Sequence, residues 1–289
     1  MKIDVIGKRK IWYILSAVIL LAGMVSLLVQ GMNLGIDFVG GNRLNLQFAQ
    51  QVDIADLRAT MTENQLGDSK IQLMDDGSYL LKTKELDQAA QDSLIASLTE
   101  KYGEVTIIQS GLVGPSVGSE LKKNALISLG LAVLLMIAYI TYRFEMHFAI
   151  AGVLALFHDI FIVVAVFSIF QFEIDSTFIA ALLTIFGYSI NDKIVVFDRI
   201  RENMGRVKKD QLSGLVNDSI AQSFTRSMNT SISTLILLLA LFFFGGQTTR
   251  IFVLAMIIGV VAGTYSSLCI ASPIWYEFKM RVKGNRVDA

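Results

Sequence analysis

Ionisable side chains inside apolar stretches are costly, so the few that occur in this sequence are the first candidates for chemistry. Asp192 lies in Gly187-Tyr188-Ser189-Ile190-Asn191-Asp192-Lys193, within a mostly apolar run from Ser176 to Phe197. At about 1.5 Å of rise per residue it stands roughly 24 Å along a helix begun at Ser176, short of the roughly 30 Å of a bilayer core. Val195, Val196 and Phe197 continue the run beyond it, which weakens the reading of a carboxylate that merely reaches the surface. Arg226 opens the next apolar run. Asn229 or Thr230, Ser233 and Leu237 follow at helical spacing, and Ser223, Ser227, Ser231 and Thr234 widen the polar face. We expect Arg226 to face Asp192 across adjacent helices. Desolvation and a guanidinium act on a carboxyl group in opposite senses, and a carboxyl so balanced can exchange a proton as helices move. Asp159 and Asn191 are secondary candidates for this relay. Adjacent helical residues point about 100° apart, so His158 and Asp159 converge poorly on a metal ion. A polar contact with another helix is the favoured reading there.

Six stretches are long and apolar enough to carry these residues across a membrane: 11–30, 124–142, 148–172, 176–197, 227–249 and 251–276. The chain is 53% hydrophobic and 17% charged, well below the charge of a soluble domain. Its formal net charge is zero, which gives no reason to expect a nucleic-acid partner. The single cysteine, Cys269, excludes an internal disulfide. The first stretch is longer than the apolar core of a signal peptide, so an uncleaved span is expected. Lysine and arginine gather at residues 2–10, at Arg143, in 199–209 and in 279–286, and only Arg250 falls in an opposite short loop. That bias puts both termini in the cytoplasm and segment 31–122 outside.

Segment 31–122 has the polarity of a soluble domain. Leu44, Leu46 and Phe48 alternate with Arg43, Asn45 and Gln47 as a half-buried strand. Asp53 caps a helix whose apolar face is Ile54, Leu57 and Met61. Residues 70–74 and 79–83 flank Asp75-Asp76-Gly77-Ser78 as a hairpin. Residues 85–102 have helical spacing, and 105–112 read as a last strand. The order β-α-β-β-α-β is the ferredoxin-like arrangement. Residues 111–118 return the chain to the membrane through three glycines, as a bent re-entry or an ordinary linker. The fold class is therefore an α-helical polytopic membrane protein of six transmembrane helices with an α+β ferredoxin-like periplasmic domain. Its divisions are 1–10 (cytoplasmic), 11–30 (first span), 31–122 (domain), 123–276 (spans 2–6, with cytoplasmic segment 198–226) and 277–289 (cytoplasmic tail). Gly259, Gly263 and Ser267 belong to a run of small residues four apart, a helix-packing face.

Several segments together resemble the SecD/SecF export family. They are Gly35-Ile36-Asp37-Phe38-Val39-Gly40-Gly41 after the first span, Val113 to Leu121 before the second, Gly187 to Asn203 (GYSINDKIVVFDRIREN), Ser223 to Thr234 (SFTRSMNTSIST), and Gly259 to Ala271 (GVVAGTYSSLCIA). The family often has Arg-Thr-Leu where this chain has Arg226-Ser227-Met228. The resemblance implies an RND-like half, with Asp192 and Arg226 in a proton pathway. It implies a SecD partner supplying six more spans, the SecYEG channel, YajC and YidC as further neighbours, a translocating preprotein and surrounding membrane lipid. It implies location in the bacterial inner membrane and work driven by a proton or sodium gradient, with no cofactor. No G-x-x-x-x-G-K-[ST] loop is present for nucleotide. The alternatives are an RND-type exporter of lipids or small molecules, a membrane hydrolase built on His158 and Asp159, and a structural scaffold.

Overall fold

The computed structural model describes residues 4–205 and 211–284. Lys2, Arg206, Lys208, Lys209 and Arg286, part of the basic bias noted above, lie outside the described residues.

Six helices are long and apolar enough to cross a membrane. Span 1 is α1 (Arg9–Val29), span 2 is α5 (Pro115–Arg143), span 3 is α6 (Met146–Ile169), span 4 is α7 (Ser176–Asn203) and span 5 is α8 (Leu212–Phe244). Span 6 runs as α9 (Arg250–Ser266), a π turn at Ser267–Ala271, and α10 (Ser272–Gly284). Helix and apolar run do not end together. Span 4 continues through the charged residues 198–203, span 5 starts well before Ser227, and residues 277–284 of the expected tail are helical. A helix need not end where polarity rises, because its backbone bonds are internal. Asn203 donates to Ser219 at 2.8 Å and so ties the extension of span 4 to that of span 5.

Spans 3, 4 and 6 bury half or more of their apolar stretch, whereas spans 1, 2 and 5 bury less than a fifth. The core of the bundle is thus three helices wide. Gly259 and Gly263 let span 6 lie directly on span 4. A Cβ on Gly259 would overlap Ile185, and one on Gly263 would sit 3.2 Å from Ser189. Small residues at such a crossing are what lets membrane helices approach closely.

Between spans 1 and 2 lies a short helix α2 (Ile36–Val39), then β1 (Gly41–Phe48), α3 (Ile54–Glu63), β2 (Lys70–Leu73), β3 (Tyr79–Thr83), α4 (Gln88–Tyr102) and β4 (Val105–Val113). The sheet order is β2-β3-β1-β4 with every neighbouring pair antiparallel. Two β-α-β units interleave to give that order. Leu44, Leu46, Phe48, Tyr79 and Leu81 of one sheet face pack on Leu57, Met61, Leu94 and Leu98 of the helices. Asp53 and Asp87 cap α3 and α4 by accepting from Ala55 N and Ala90 N. The Asp87 cap explains why α4 starts three residues later than its apolar spacing suggests. The glycine-rich return is tight: β4 ends at Val113, and α5 starts at Pro115, where a proline fits the first helical turn.

The other sheet face lies against the bundle. Glu173, just before span 4, is held by Lys82 at 2.9 Å and Lys70 at 3.6 Å. Asp37 accepts from Ser176 N and Oγ at 3.0 and 2.7 Å. The chain leaving span 1 bridges Leu34 to Ile174. The N-terminal end of span 4 is therefore fastened to the base of the domain.

Gly40 and Gly41 stand where α2, β1, β3 and the start of span 2 converge, with φ of 84° and 141°. A Cβ at Gly41 would also overlap the Thr83 carbonyl oxygen. We predict that Gly41→Ala destabilises the folded protein by about 1–3 kcal/mol, while Gly111→Ala, with open space around it, is near neutral. Thermal unfolding of the two variants in detergent tests the difference.

Candidate functional site

Span 4 carries two adjacent charges, and adjacent residues on a helix face about 100° apart. Asp192 and Lys193 accordingly enter different environments. Lys193 is fully buried and pairs with the equally buried Asp159 of span 3, Nζ to Oδ2 at 2.6 Å. Lys193 also donates to Ser189 at 2.6 Å and to Ser266 of span 6 at 3.0 Å. Ser189 donates to the same Asp159 oxygen. The other oxygen of Asp159 meets His158 Nδ1 at 3.0 Å, and His158 Nε2 meets Ser16 of span 1 at 2.9 Å. Ser16 reaches Tyr265 at 3.1 Å, and Tyr265 donates to Trp12 O at 2.9 Å. One polar knot thus joins spans 1, 3, 4 and 6.

Asp192 is 8% exposed and faces the other way. The hydroxyls of Ser227 in span 5 and Ser267 in the π turn of span 6 lie beside its carboxyl group. No hydrogen bond closes on Asp192 Oδ2 or on Ser227 Oγ among the described residues. Single-turn π segments recur at functional sites, and this one sets Ser267 against the carboxyl while Ser267 donates to Gly263 O at 2.7 Å.

The structure does not bring Arg226 to Asp192. Arg226 is exposed on span 5, and no described carboxylate pairs with it. Ser227, one residue on, takes the inward position. The polar face read from sequence divides in two: Ser223, Ser227 and Ser231 point into the bundle, while Arg226, Asn229, Thr230 and Ser233 point out. Asn191 is likewise exposed, on the outer face of span 4 with Ala180, Thr184 and Gly187. His158 and Asp159 do contact another helix and each other. Lys193, Ser189, Ser266 and Ser16 were not singled out from sequence as site residues. The available signal was the four-residue spacing of Ser189 and Lys193 on one helical face, opposite an acidic residue in a neighbouring span.

The fold and buried charges define a polytopic helical membrane protein with an α+β domain, inserted between spans 1 and 2, anchored to its charge-bearing helix. The chain belongs to the SecD/SecF family of protein-export membrane proteins. Residues 93–281 match the model of the SecD/SecF C-terminal domain, and residues 25–52 match the SecD/SecF GG motif. It is 40% identical over 282 residues to the protein translocase subunit SecF of Sebaldella termitidis, covering 96% of this chain and 92% of that one. It is 37% identical over 286 residues to the translocase subunit SecDF of Bacillus subtilis, covering 97% of this chain but 38% of that longer one. A crystal structure of a Thermus SecDF, described as a translocon-associated membrane protein, superposes with a TM-score of 0.85 at 33% identity over 96% of this chain and 39% of that chain. A SecDF structure in a super-membrane-facing form gives 0.75 at the same 33% identity, covering 100% of this chain and 40% of that chain.

Removing one partner of a buried ion pair leaves an uncompensated charge. We predict that Lys193→Met destabilises the protein by about 3–5 kcal/mol. Adding Asp159→Leu to that variant should recover most of the loss. A double-mutant cycle on thermal stability in detergent reads both effects.

Proposed function

We propose that this chain is the SecF-type half of a gradient-driven export device, in which Asp192 gains and loses charge as protons cross the membrane. The carrying observation is the position of Asp192: a carboxyl group buried in the bundle, with one oxygen unpartnered among the described residues, on the helix whose far end holds the domain. The relation runs along one element. Asp192 lies four turns from Ser176 on α7, and Ser176 and Glu173 are the attachment points of Asp37, Lys82 and Lys70. A change of charge at Asp192 alters how span 4 packs on spans 5 and 6, and the domain at its outer end follows. A preprotein held outside is then kept from sliding back.

The outward polar face supports a partner in the membrane. Arg226, Asn229, Thr230 and Ser233 on a spanning helix are costly against lipid and favourable against another polar helix face. The SecDF relatives are more than twice as long as this chain, and their remaining part is the natural source of that face. SecD is therefore the partner, with six further spans, and Arg226 serves the relay across that junction. SecYEG is the channel through which the preprotein emerges. Both termini are cytoplasmic, the domain is periplasmic, and the membrane is the bacterial inner membrane.

A gradient of 100 mV supplies about 2.3 kcal/mol per charge, a directional bias of about 50-fold. We predict that Asp192→Asn assembles normally but loses gradient-stimulated export in inner-membrane vesicles, leaving only the export that proceeds without a gradient. Full stimulation in that variant would remove the relay.

A further inference from the structure

Arg43 and Arg250 are distant in sequence but line one cleft, between the bundle-facing side of the sheet and the ends of spans 4, 5 and 6. Its volume of about 420 Å³ falls within the roughly 300–1,000 Å³ of ligand sites. Leu44 of β1 packs toward α3 and α4, so strand alternation turns Arg43 to the opposite face. Arg250 opens span 6, and Gln72 of β2 meets Gln247 at 3.1 Å to tie the sheet to the loop before it. Both arginines are exposed. Among the described residues neither forms an ion pair: Arg43 has no side-chain hydrogen bond, and Arg250 donates to the neutral Gln247 at 3.1 Å and lies over the Phe242 ring at 5.4 Å.

The carboxylates of the cleft, Asp37, Glu173 and Asp175, are already engaged. Glu173 holds Lys82 and Lys70. Asp175 accepts from Thr177 N and Phe178 N, and Asp37 from Ser176 N, so both sit on the positive end of α7. By contrast α9, which Arg250 begins, has no side-chain cap and no acidic residue in its first turn. The cleft thus offers two guanidinium groups and a helix start with no anion against them. Another wall is apolar, made by Phe242, Ile251 and Leu254. These residues end span 5 and begin span 6, and the neighbouring Phe243 and Phe244 are 69% and 90% exposed. Aromatic and basic residues at span ends sit at the level of lipid headgroups.

We propose that this cleft binds the headgroup of an anionic phospholipid, with Arg43 and Arg250 on the phosphodiester and the upper acyl chain on Phe242, Ile251 and Leu254. Guanidinium groups pair phosphate oxygens two at a time. A free phosphate would satisfy the arginines but leave the apolar wall uncovered. An acidic peptide would have to compete at a depth where phospholipid is abundant. The bound lipid bridges β1 of the domain to span 6, beside the existing attachment of the domain to span 4. This inference does not depend on charge exchange at Asp192.

Native mass spectrometry of the complex extracted from membranes tests it. The complex is stripped of lipid in detergent, then titrated separately with phosphatidylglycerol, phosphatidylcholine and inorganic phosphate. The expected result is one tightly held phosphatidylglycerol per chain that neither of the others displaces. The Arg43→Gln/Arg250→Gln double variant should bind it about 30-fold more weakly, as expected for two cations near an anionic lipid. Lys84→Gln, exposed just beyond β3 and outside the cleft, should leave the affinity unchanged. Equal affinity in the double variant and the unaltered chain would overturn the site. Inorganic phosphate binding as tightly as phosphatidylglycerol would overturn the lipid assignment in favour of a simple anion site. A second measurement needs no arginine variant: phosphatidylglycerol with a photoreactive acyl chain should label the peptide carrying Phe242 to Leu254, and labelling confined to other spans would count against the cleft. A photoreactive side chain at Gln72 that captured a translocating polypeptide and no lipid would assign the cleft to polypeptide instead.

Discussion

The ion pair between Asp159 and Lys193 makes the rest of the bundle intelligible. A lysine in the middle of a membrane bundle must be neutralised or it will not stay there. Asp159 neutralises it at 2.6 Å, and Ser189, Ser266 and His158 complete the bonding of both groups. Lys193 is taken by Asp159, and among the described residues it makes no ion pair with its own neighbour Asp192. Two charges adjacent in sequence therefore have opposite fates. One is locked into a knot that holds spans 1, 3, 4 and 6 together. The other is left beside the Ser227 and Ser267 hydroxyls, with one oxygen unpartnered among the described residues.

Rigid and adjustable parts follow from that division. Gly259 and Gly263 bring span 6 onto span 4 close to the knot, and the packing there leaves no room for even one extra carbon at Gly259. Span 5 is different. It buries less than a fifth of its apolar stretch, and it meets Asp192 through small hydroxyls rather than interlocked aliphatic groups. If Asp192 changes charge, span 5 is the element with least to lose by shifting. Span 4 would carry such a change to the sheet domain, because Glu173 and Ser176 at its end hold the sheet through Lys82, Lys70 and Asp37.

Much of this architecture is legible in the sequence, for a physical reason. Apolar length and two-residue or helical periodicity report local solvent exposure, and these gave the six spans and the β-α-β-β-α-β order nearly to the residue at β3. Helix ends were less legible, since the spans continue past their apolar limits with no local penalty. The Asp192 carboxyl was visible as a charge in an apolar run. Its partners were not. Whether Arg226 or Ser227 points at Asp192 is a matter of one residue, or about 100° of helix rotation, and packing alone decides it. The Lys193–Asp159 pair joins positions 34 apart in the chain, and the π turn that presents Ser267 leaves no mark in composition.

The central claim is that the carboxyl group of Asp192 changes its protonation state when a gradient is imposed. Difference infrared spectroscopy of the membrane-reconstituted complex reads this directly, with Asp192→Asn to assign the band. The account predicts a carboxylic-acid carbonyl band that rises and falls with the gradient and is missing in the variant. A spectrum showing Asp192 ionised throughout, with no band altered by the substitution, would contradict it.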